Sequence, residues 1–161
     1  MKPGLSQALR VLRRLLLVAL VAIQFVPVDR SNPPIEGDIG APPEVAAILR
    51  RSCYDCHSHE TRWPWYAYVA PASWLLARDV HEARGELNFS KWSTYSERRR
   101  GRKLEQLVEL TGSGEMPLWF YLPLHPSAKL SQADKDTLAA WATPQFPKDS
   151  ESAPAGDPPP R

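Results

Sequence analysis

The sequence predicts an all-α protein with one small domain of about 100 residues. Apolar residues recur at the three- and four-residue spacing of an amphipathic helix in several separate segments. No segment shows the apolar–polar alternation typical of a half-buried strand, and the sequence has no internal repeat. Hydrophobic residues make up 43% of the 161, so a modest core can form beside less apolar tails.

The first 28 residues are predicted to be a signal anchor or transmembrane segment. They contain no acid, and their basic residues are Lys2, Arg10, Arg13 and Arg14. A mainly apolar run then extends from 15 to 28, and no good small-x-small cleavage site follows it. Because basic residues precede the run, the N-terminus is expected in the cytoplasm and the domain outside it.

This segment has other interpretations. The apolar run is short for a full span, although Val11 and Leu12 can lengthen it. A buried core helix is disfavoured because the run is terminal and is followed by turn-rich residues. We expect a protein of the bacterial inner membrane with its domain in the periplasm. A soluble periplasmic protein, released by cleavage, is the alternative.

The domain is predicted to cover 42–143, after a linker at 29–41. Four helices are expected within it, at 42–52, 73–87, 97–111 and 132–142. Their predicted boundary residues are Ser73 and Ser96 as N-caps, Ser131 with Asp134 as a capping pattern, and Gly112 as a stop. The stretch 112–129 is expected to be loop, and the proline-rich residues 144–161 a disordered tail.

The charge balance argues against a nucleic-acid-binding protein. Without the first 28 residues, 16 basic residues remain against 18 acidic ones. The basic run 97–103 lies in an amphipathic pattern with acids beside it, which favours a solvated helix face. A docking patch for an acidic redox partner is the other interpretation.

The motif CYDCH, at 53–57, is the most informative feature of the sequence. C-x-x-C-H is the attachment pattern of a c-type haem, because two thiols three positions apart can reach both vinyl groups. The next residue, His57, then becomes the proximal ligand of the iron. Half of a zinc site, a redox dithiol or a chance cluster are the other possibilities.

The rest of the chain favours haem among these. Cys53 and Cys56 are the only cysteines, so a zinc site would need two more ligands, such as His81 and His125. Those histidines have no common zinc spacing. A thioredoxin-like dithiol would need a βαβ context, for which there is no signal. Export through the N-terminal segment suits haem c, which is attached outside the bacterial cytoplasm.

Met116 is the predicted second axial ligand of the iron. It lies in the loop sequence GEMPLW, and Pro117 stiffens that loop. A core position without any iron bond is the plainer interpretation of this methionine. His125 is the alternative distal ligand, and a vacant sixth position is a further possibility. His59 is expected on the wrong side of the iron.

The chain resembles the bacterial haem-binding domain family, a relative of c-type cytochromes found alone or joined to cytochrome c and peroxidase modules. The likeness lies in IQFVPVDRSNPP at 23–34, CYDCHSHETRWPWYAYVAPASW at 53–74, LNFSKW at 87–92 and GEMPLWFYLPLHP at 114–126. The resemblance implies covalent haem c on Cys53 and Cys56, with His57 on the iron. Many relatives read GEMPP where this chain has GEMPL, which keeps the sulfur but loses one stiffening proline.

These features together predict a small cytochrome c-like helical domain wrapped around a covalently attached haem. Such a haem needs a large apolar wall, and the aromatic residues after the motif can supply it. We expect Trp63, Trp65 and Tyr66 in the pocket, and Arg62 near a propionate. Ordinary core packing is the alternative for each.

The predicted function is one-electron transfer through His57- and Met116-ligated iron on the periplasmic side of the membrane. The partner is expected to be a redox protein that the sequence does not identify. A peroxidase-like enzyme or a haem-based ligand sensor, each with an open sixth position, is the alternative. An electron carrier rather than an enzyme is therefore expected.

Overall fold

Six α-helices form most of the regular structure of residues 4–147, which are the residues described by a computed structural model of the chain. They are α1 Leu5–Ala22, α2 Pro43–Ser52, α3 Tyr54–His57, α4 Ala72–Glu86, α5 Glu97–Ser113 and α6 Gln132–Ala142. Short 3₁₀ turns lie at Ile23–Phe25, Trp65–Tyr68, Trp92–Thr94, Pro126–Ala128 and Thr143–Gln145. An isolated bridge joins Gly37 and Lys91, and the described residues hold no strand. The predicted all-α class is thus confirmed.

Two of the predicted helix starts are confirmed by their caps. The Ser131 hydroxyl accepts from the backbone N–H of Asp134, and the Asp134 carboxylate accepts from that of Ser131, which completes a capping box at α6. At α5, the Ser96 hydroxyl accepts from the N–H of Arg99. These caps satisfy N–H groups that have no partner within the helix.

Two other predicted boundaries are wrong. Ser73 does not cap α4 but lies inside it, because the helix begins at Ala72, directly after Pro71. Proline is favoured at a helix start, where its missing N–H leaves no bond unmade. Gly112 does not stop α5, which continues to Ser113 and ends where Gly114 takes the left-handed conformation at φ 82°.

The described residues form two compact units, and the first contains 4–31 and 63–79. Here the side-chain amide of Gln24 bonds both backbone groups of Ala70: its Nε2 donates to the carbonyl at 3.2 Å, and its Oε1 accepts from the N–H at 2.9 Å. Arg30 donates to the Ala67 carbonyl at 3.1 Å and lies over the Tyr68 ring. These bonds hold the residues after α1 against 67–70.

No helix within residues 4–147 combines the length and the apolar character needed to cross a membrane.

The second unit contains 32–62 and 80–147. Its main cluster of buried apolar side chains comes from α2, α3, α5, α6 and the segments before and after the helices. The Tyr54 and Phe89 rings stack there with centroids 4.9 Å apart. The fully buried core residues are Leu49, Phe89 and Leu138. This packing fixes the motif helix α3 on one side through Tyr54.

The predicted linker, 29–41, makes specific contacts in the structure. Asn32 donates to the Thr61 carbonyl, and the N–H groups of Glu36 and Gly37 both donate to the Ser90 carbonyl. Ile39 packs against the buried cluster. This part of the chain therefore belongs to the folded structure, which its turn-rich composition did not indicate.

Candidate functional site

The CYDCH motif forms the single-turn helix α3 immediately after α2. Cys53 bonds back into α2 through its N–H, and its own carbonyl accepts from the N–H groups of Cys56 and His57 at 3.2 and 2.9 Å. One turn of helix therefore sets the two cysteines three positions apart, on neighbouring parts of its surface. The two cysteines form no disulfide, and both are half-buried.

His57 is oriented by two backbone carbonyls at the end of α4. Its Nδ1 lies 3.0 Å from the Ala83 oxygen and 3.0 Å from the Leu87 oxygen, and only a protonated Nδ1 can bond to them. The neutral ring therefore carries its lone pair on Nε2. Burial lowers the pKa of His57, although the two carbonyl bonds oppose that change. A neutral histidine with its other nitrogen fixed this way is a prepared metal ligand.

The backbone around His57 is also held. The N–H of Phe89 donates to the His57 carbonyl at 2.8 Å, and the Phe89 ring meets the imidazole edge-on. Arg84 donates to the Ser58 carbonyl at 2.8 Å. The end of α4 and the residues after it thus fix the motif from a second side.

His59 has a different environment from His57. Its Nδ1 lies 2.8 Å from the Pro34 oxygen, and its Nε2 lies 2.9 Å from the side-chain nitrogen of Asn88. Both ring nitrogens are therefore engaged inside the protein, where the residue is buried. This satisfied arrangement leaves no lone pair for a metal, in keeping with its expected exclusion from the iron.

The thiol of Cys53 has a strongly shifted pKa. Burial raises the pKa of the Cys53 thiol to about 12; the nearby Cys56 adds to the shift and Arg51 opposes it. The thiol is therefore protonated and weakly nucleophilic in the folded chain.

Met116 lies in the loop after α5 and is half-buried. Its N–H donates to the Leu110 carbonyl at 3.0 Å, which joins this loop to the last turn of α5. The left-handed Gly114 makes the reversal that allows this bond. The backbone of the predicted distal ligand is therefore fixed, while its ligation of iron stays a prediction.

His125 lies near the middle of the CYDCH motif. Its ring stacks on Tyr121 with centroids 4.0 Å apart, and the Tyr121 hydroxyl donates to Asp55 at 3.3 Å. Burial lowers the pKa of His125; Asp55 opposes this and Arg62 adds to it. The loop 117–125 is thus joined to Asp55, one of the two residues between the cysteines.

The predicted pocket residues have three different environments. Arg62 pairs with Asp55 at 3.4 Å, and its side chain is mostly exposed. Trp63 has a buried indole N–H without a hydrogen-bond partner. Trp65 is 76% exposed and meets the half-buried Tyr66 edge-on. Arg62 lies in the second unit and the three aromatic residues in the first.

A metal site built from protein side chains alone is not supported. Within residues 4–147, no three His, Cys, Asp or Glu side chains are grouped in a way that could hold a metal ion. The histidines proposed above as zinc partners do not gather around Cys53 and Cys56. A site completed by a porphyrin needs only one or two protein ligands on the iron.

Sequence reasoning missed the groups that position the motif. The carbonyls of Ala83 and Leu87 carry no side-chain signal, since any residue supplies a carbonyl. Asn88 and Ser90 are buried polar residues that bond His59, through its ring and its backbone N–H. They lie within LNFSKW, so this stretch could have been recognised as structural support for the motif.

A family model described as a haem-binding domain matches residues 18–144. The match includes the motif, the segment 29–41, the aromatic residues Trp63, Trp65 and Tyr66, and the loop that contains Met116. Searches of curated proteins and of solved structures found no match.

Proposed function

This chain belongs to the haem-binding domain family, and from that membership we propose that it is a c-type haem protein that transfers single electrons. Haem would be held by thioether bonds to Cys53 and Cys56, with His57 on the iron. The observation that carries the proposal is the His57 ring. Its Nδ1 is bonded to two carbonyls, so its Nε2 keeps the lone pair that an iron ligand needs, in the residue that directly follows Cys56.

The residues present fit this group. The thiols are three positions apart on one helical turn, which is the spacing that haem attachment uses.

The bound iron would supply reversible one-electron redox chemistry. The chain's own contribution is to orient and enclose. The Ala83 and Leu87 carbonyls make Nδ1 a stable donor, which increases the electron density that His57 gives through Nε2. Burial keeps His57 neutral near pH 7, so no proton has to leave before it binds the iron.

Met116 is proposed as the distal ligand, with His125 as its rival. The bond from the Met116 N–H to Leu110 fixes the loop at the sulfur-bearing residue. His125, by contrast, has its ring covered on one face by Tyr121. These contacts favour methionine, because His125 would have to leave an existing stack to rotate freely.

The domain is proposed to act on the outer side of a bacterial inner membrane, held there by the N-terminal segment, with a redox protein as its partner. The support is the acid-free N-terminus with its basic residues ahead of the apolar part of α1. Cell fractionation, with a mass measurement of the mature chain, tests both the location and the cleavage alternative.

The test of haem binding is expression of the full chain in a bacterium that attaches haem c. We expect covalent haem by pyridine haemochrome and intact mass, lost in Cys56→Ser. His57→Ala should retain some haem but change its spectrum, since the proximal ligand is gone. A haem-free wild-type chain from this host would overturn the proposal.

The distal ligand is tested by the matched pair Met116→Ala and His125→Ala. We expect Met116→Ala to remove the weak long-wavelength band of thioether-ligated ferric haem and to lower the midpoint potential. His125→Ala should leave both unchanged. The opposite result would make His125 the ligand. A wild-type protein that is high-spin and binds CO or peroxide would instead favour the sensor or peroxidase alternative.

A further inference from the structure

The first unit exposes far more apolar surface than a soluble protein usually leaves uncovered. Along α1 and the 3₁₀ turn after it, large apolar side chains are exposed on all sides of the helix. They are Leu9, Val11, Leu12, Leu15, Leu16, Leu17, Val18, Leu20, Val21, Phe25 and Val26. At 18 residues this helix is about 27 Å long. Water is therefore an unfavourable surrounding for this surface.

A second exposed apolar group lies in the same unit, at 65–75, here called the aromatic loop. Trp65 is 76% exposed and Tyr68 is 61% exposed, and Trp74 and Leu75 follow in the first turn of α4. Tryptophan and tyrosine accumulate where hydrocarbon meets lipid headgroups, since each ring is apolar but carries one polar atom.

The aromatic loop is fixed at the end of α1. The two bonds from Gln24 to Ala70 join it to the residues that directly follow the helix, and Arg30 lies 4.6 Å from the Tyr68 ring centroid. The aromatic loop is thus held beside the residues that directly follow the apolar helix, and the charged Arg30 lies at the same place. Aromatic and basic residues at the end of an apolar helix are typical of a membrane–water interface.

We propose that the aromatic loop is a second membrane contact, in which Trp65, Tyr68 and Trp74 sit at the headgroup level of a phospholipid bilayer while α1 buries its apolar side chains in the acyl region. It rests on the proposed membrane association of the N-terminal segment.

Charge favours lipid over a protein partner or a second copy. Residues 1–28 hold four basic residues and no acid, which complements anionic phospholipids. Arg10, Arg13 and Arg14 would repel the same region of a second copy lying parallel to it. The Arg30 guanidinium, held over Tyr68, is placed where a lipid phosphate could pair with it.

The test uses the full haem-loaded chain in vesicles of phosphatidylcholine and phosphatidylglycerol that carry a diazirine in the acyl chain near the headgroup. After photolysis, trypsin gives three informative peptides: 15–30 from α1, 63–78 with the aromatic loop, and 104–129. The last is a matched control, because it holds Trp119, which is 80% exposed but belongs to the second unit.

We expect peptide 63–78 to be labelled several-fold more than 104–129. The double variant Trp65→Ser with Tyr68→Ser should reduce that labelling several-fold, while Trp119→Ser leaves it unchanged. Labelling of 15–30 should persist in all three proteins. An unchanged far-ultraviolet circular dichroism spectrum shows that the variants fold.

Three results would overturn the proposal in distinguishable ways. If 15–30 is labelled but 63–78 is not labelled above 104–129, the N-terminal segment binds lipid and the aromatic loop does not. If neither is labelled while haem is bound, the membrane association also fails but the haem proposal stands. If size-exclusion shows a dimer whose 63–78 peptide is protected, a second copy covers the loop.

Discussion

Two histidines only two residues apart, His57 and His59, differ in the number of ring nitrogens that the protein engages. His57 uses Nδ1 alone, on two carbonyls that come from the end of α4. His59 uses both nitrogens, on Pro34 and Asn88. Because a metal ligand needs a free lone pair, only His57 of these two keeps a nitrogen that could bind a metal.

The thiol of Cys53 should react slowly in the folded, haem-free chain. Burial raises its pKa from 9.0 to about 12, so the thiolate fraction at neutral pH falls by roughly a thousandfold. Below about pH 12 its alkylation rate should rise about tenfold for each pH unit. Iodoacetamide labelling between about pH 7 and about pH 9, read by peptide mass, measures this.

The control is the same chain unfolded in guanidinium, where Cys53 should react at the rate of an ordinary cysteine. A folded chain that alkylates Cys53 as fast as the unfolded one would show that the thiol is not shielded. If the prediction holds, the proposed attachment of haem would have to precede closure of the domain around Cys53, since a protonated thiol adds poorly to a vinyl group.

At the scale of single elements, α5 contains two glycines, of which only one is closely approached by another part of the chain. Gly101 faces the segment after α6: a Cβ built there would lie 2.8 Å from the Gln145 oxygen and 2.9 Å from the Pro147 ring. A Cβ built at Gly112, in the same helix, would meet no atom within 4 Å. The close approach explains why glycine suits position 101, and no contact requires it at position 112.

Gly101→Ala should destabilise the protein by about 1–3 kcal/mol, because the added methyl group overlaps backbone atoms that cannot easily move. Gly112→Ala should stabilise it by about 0.5–1 kcal/mol through helix propensity alone. Chemical unfolding of the two variants, followed by circular dichroism, measures both values. Equal effects of the two substitutions would argue against the packing of α5 on 145–147.

For the molecule as a whole, the N-terminal segment consists of an exposed part followed by a part that is hydrogen-bonded to the folded chain. Up to Ala22 it is an exposed, mainly apolar helix. From Gln24 onwards it bonds to 67–70 and belongs to a folded unit. The family match begins at residue 18, so it includes these contacts.

Gln24→Ala should make local opening of residues 63–78, which contain the aromatic loop, more frequent, because both backbone groups of Ala70 lose a hydrogen-bond partner. Each bond contributes about 1 kcal/mol, so amide exchange in this stretch should become several-fold faster. Hydrogen–deuterium exchange by mass spectrometry, in detergent, measures the change. Gln7→Ala, at an exposed position of α1, is the matched control and should leave exchange unaltered. Similar exchange in both variants would contradict the role of Gln24.

The sequence by itself determined the helical class, the caps at Ser96 and Ser131, and the presence of the C-x-x-C-H motif. Each of these is local: a helix period, a cap and a C-x-x-C-H spacing depend on residues within a few positions of one another. The start of α4 and the end of α5 were missed by one or two residues, because Ser73 and Gly112 are compatible with a helix interior as well as with a boundary.

Only the tertiary structure decided which nitrogen of each histidine is engaged and which residues the segments before the motif contact. The deciding contacts join residues far apart in sequence: 26 positions for His57 and Ala83, 29 for His59 and Asn88, and 46 for Gln24 and Ala70. Most of them end on backbone carbonyls or N–H groups, which every residue type supplies. Neither spacing nor composition can therefore predict them, whereas the folded chain brings each pair together.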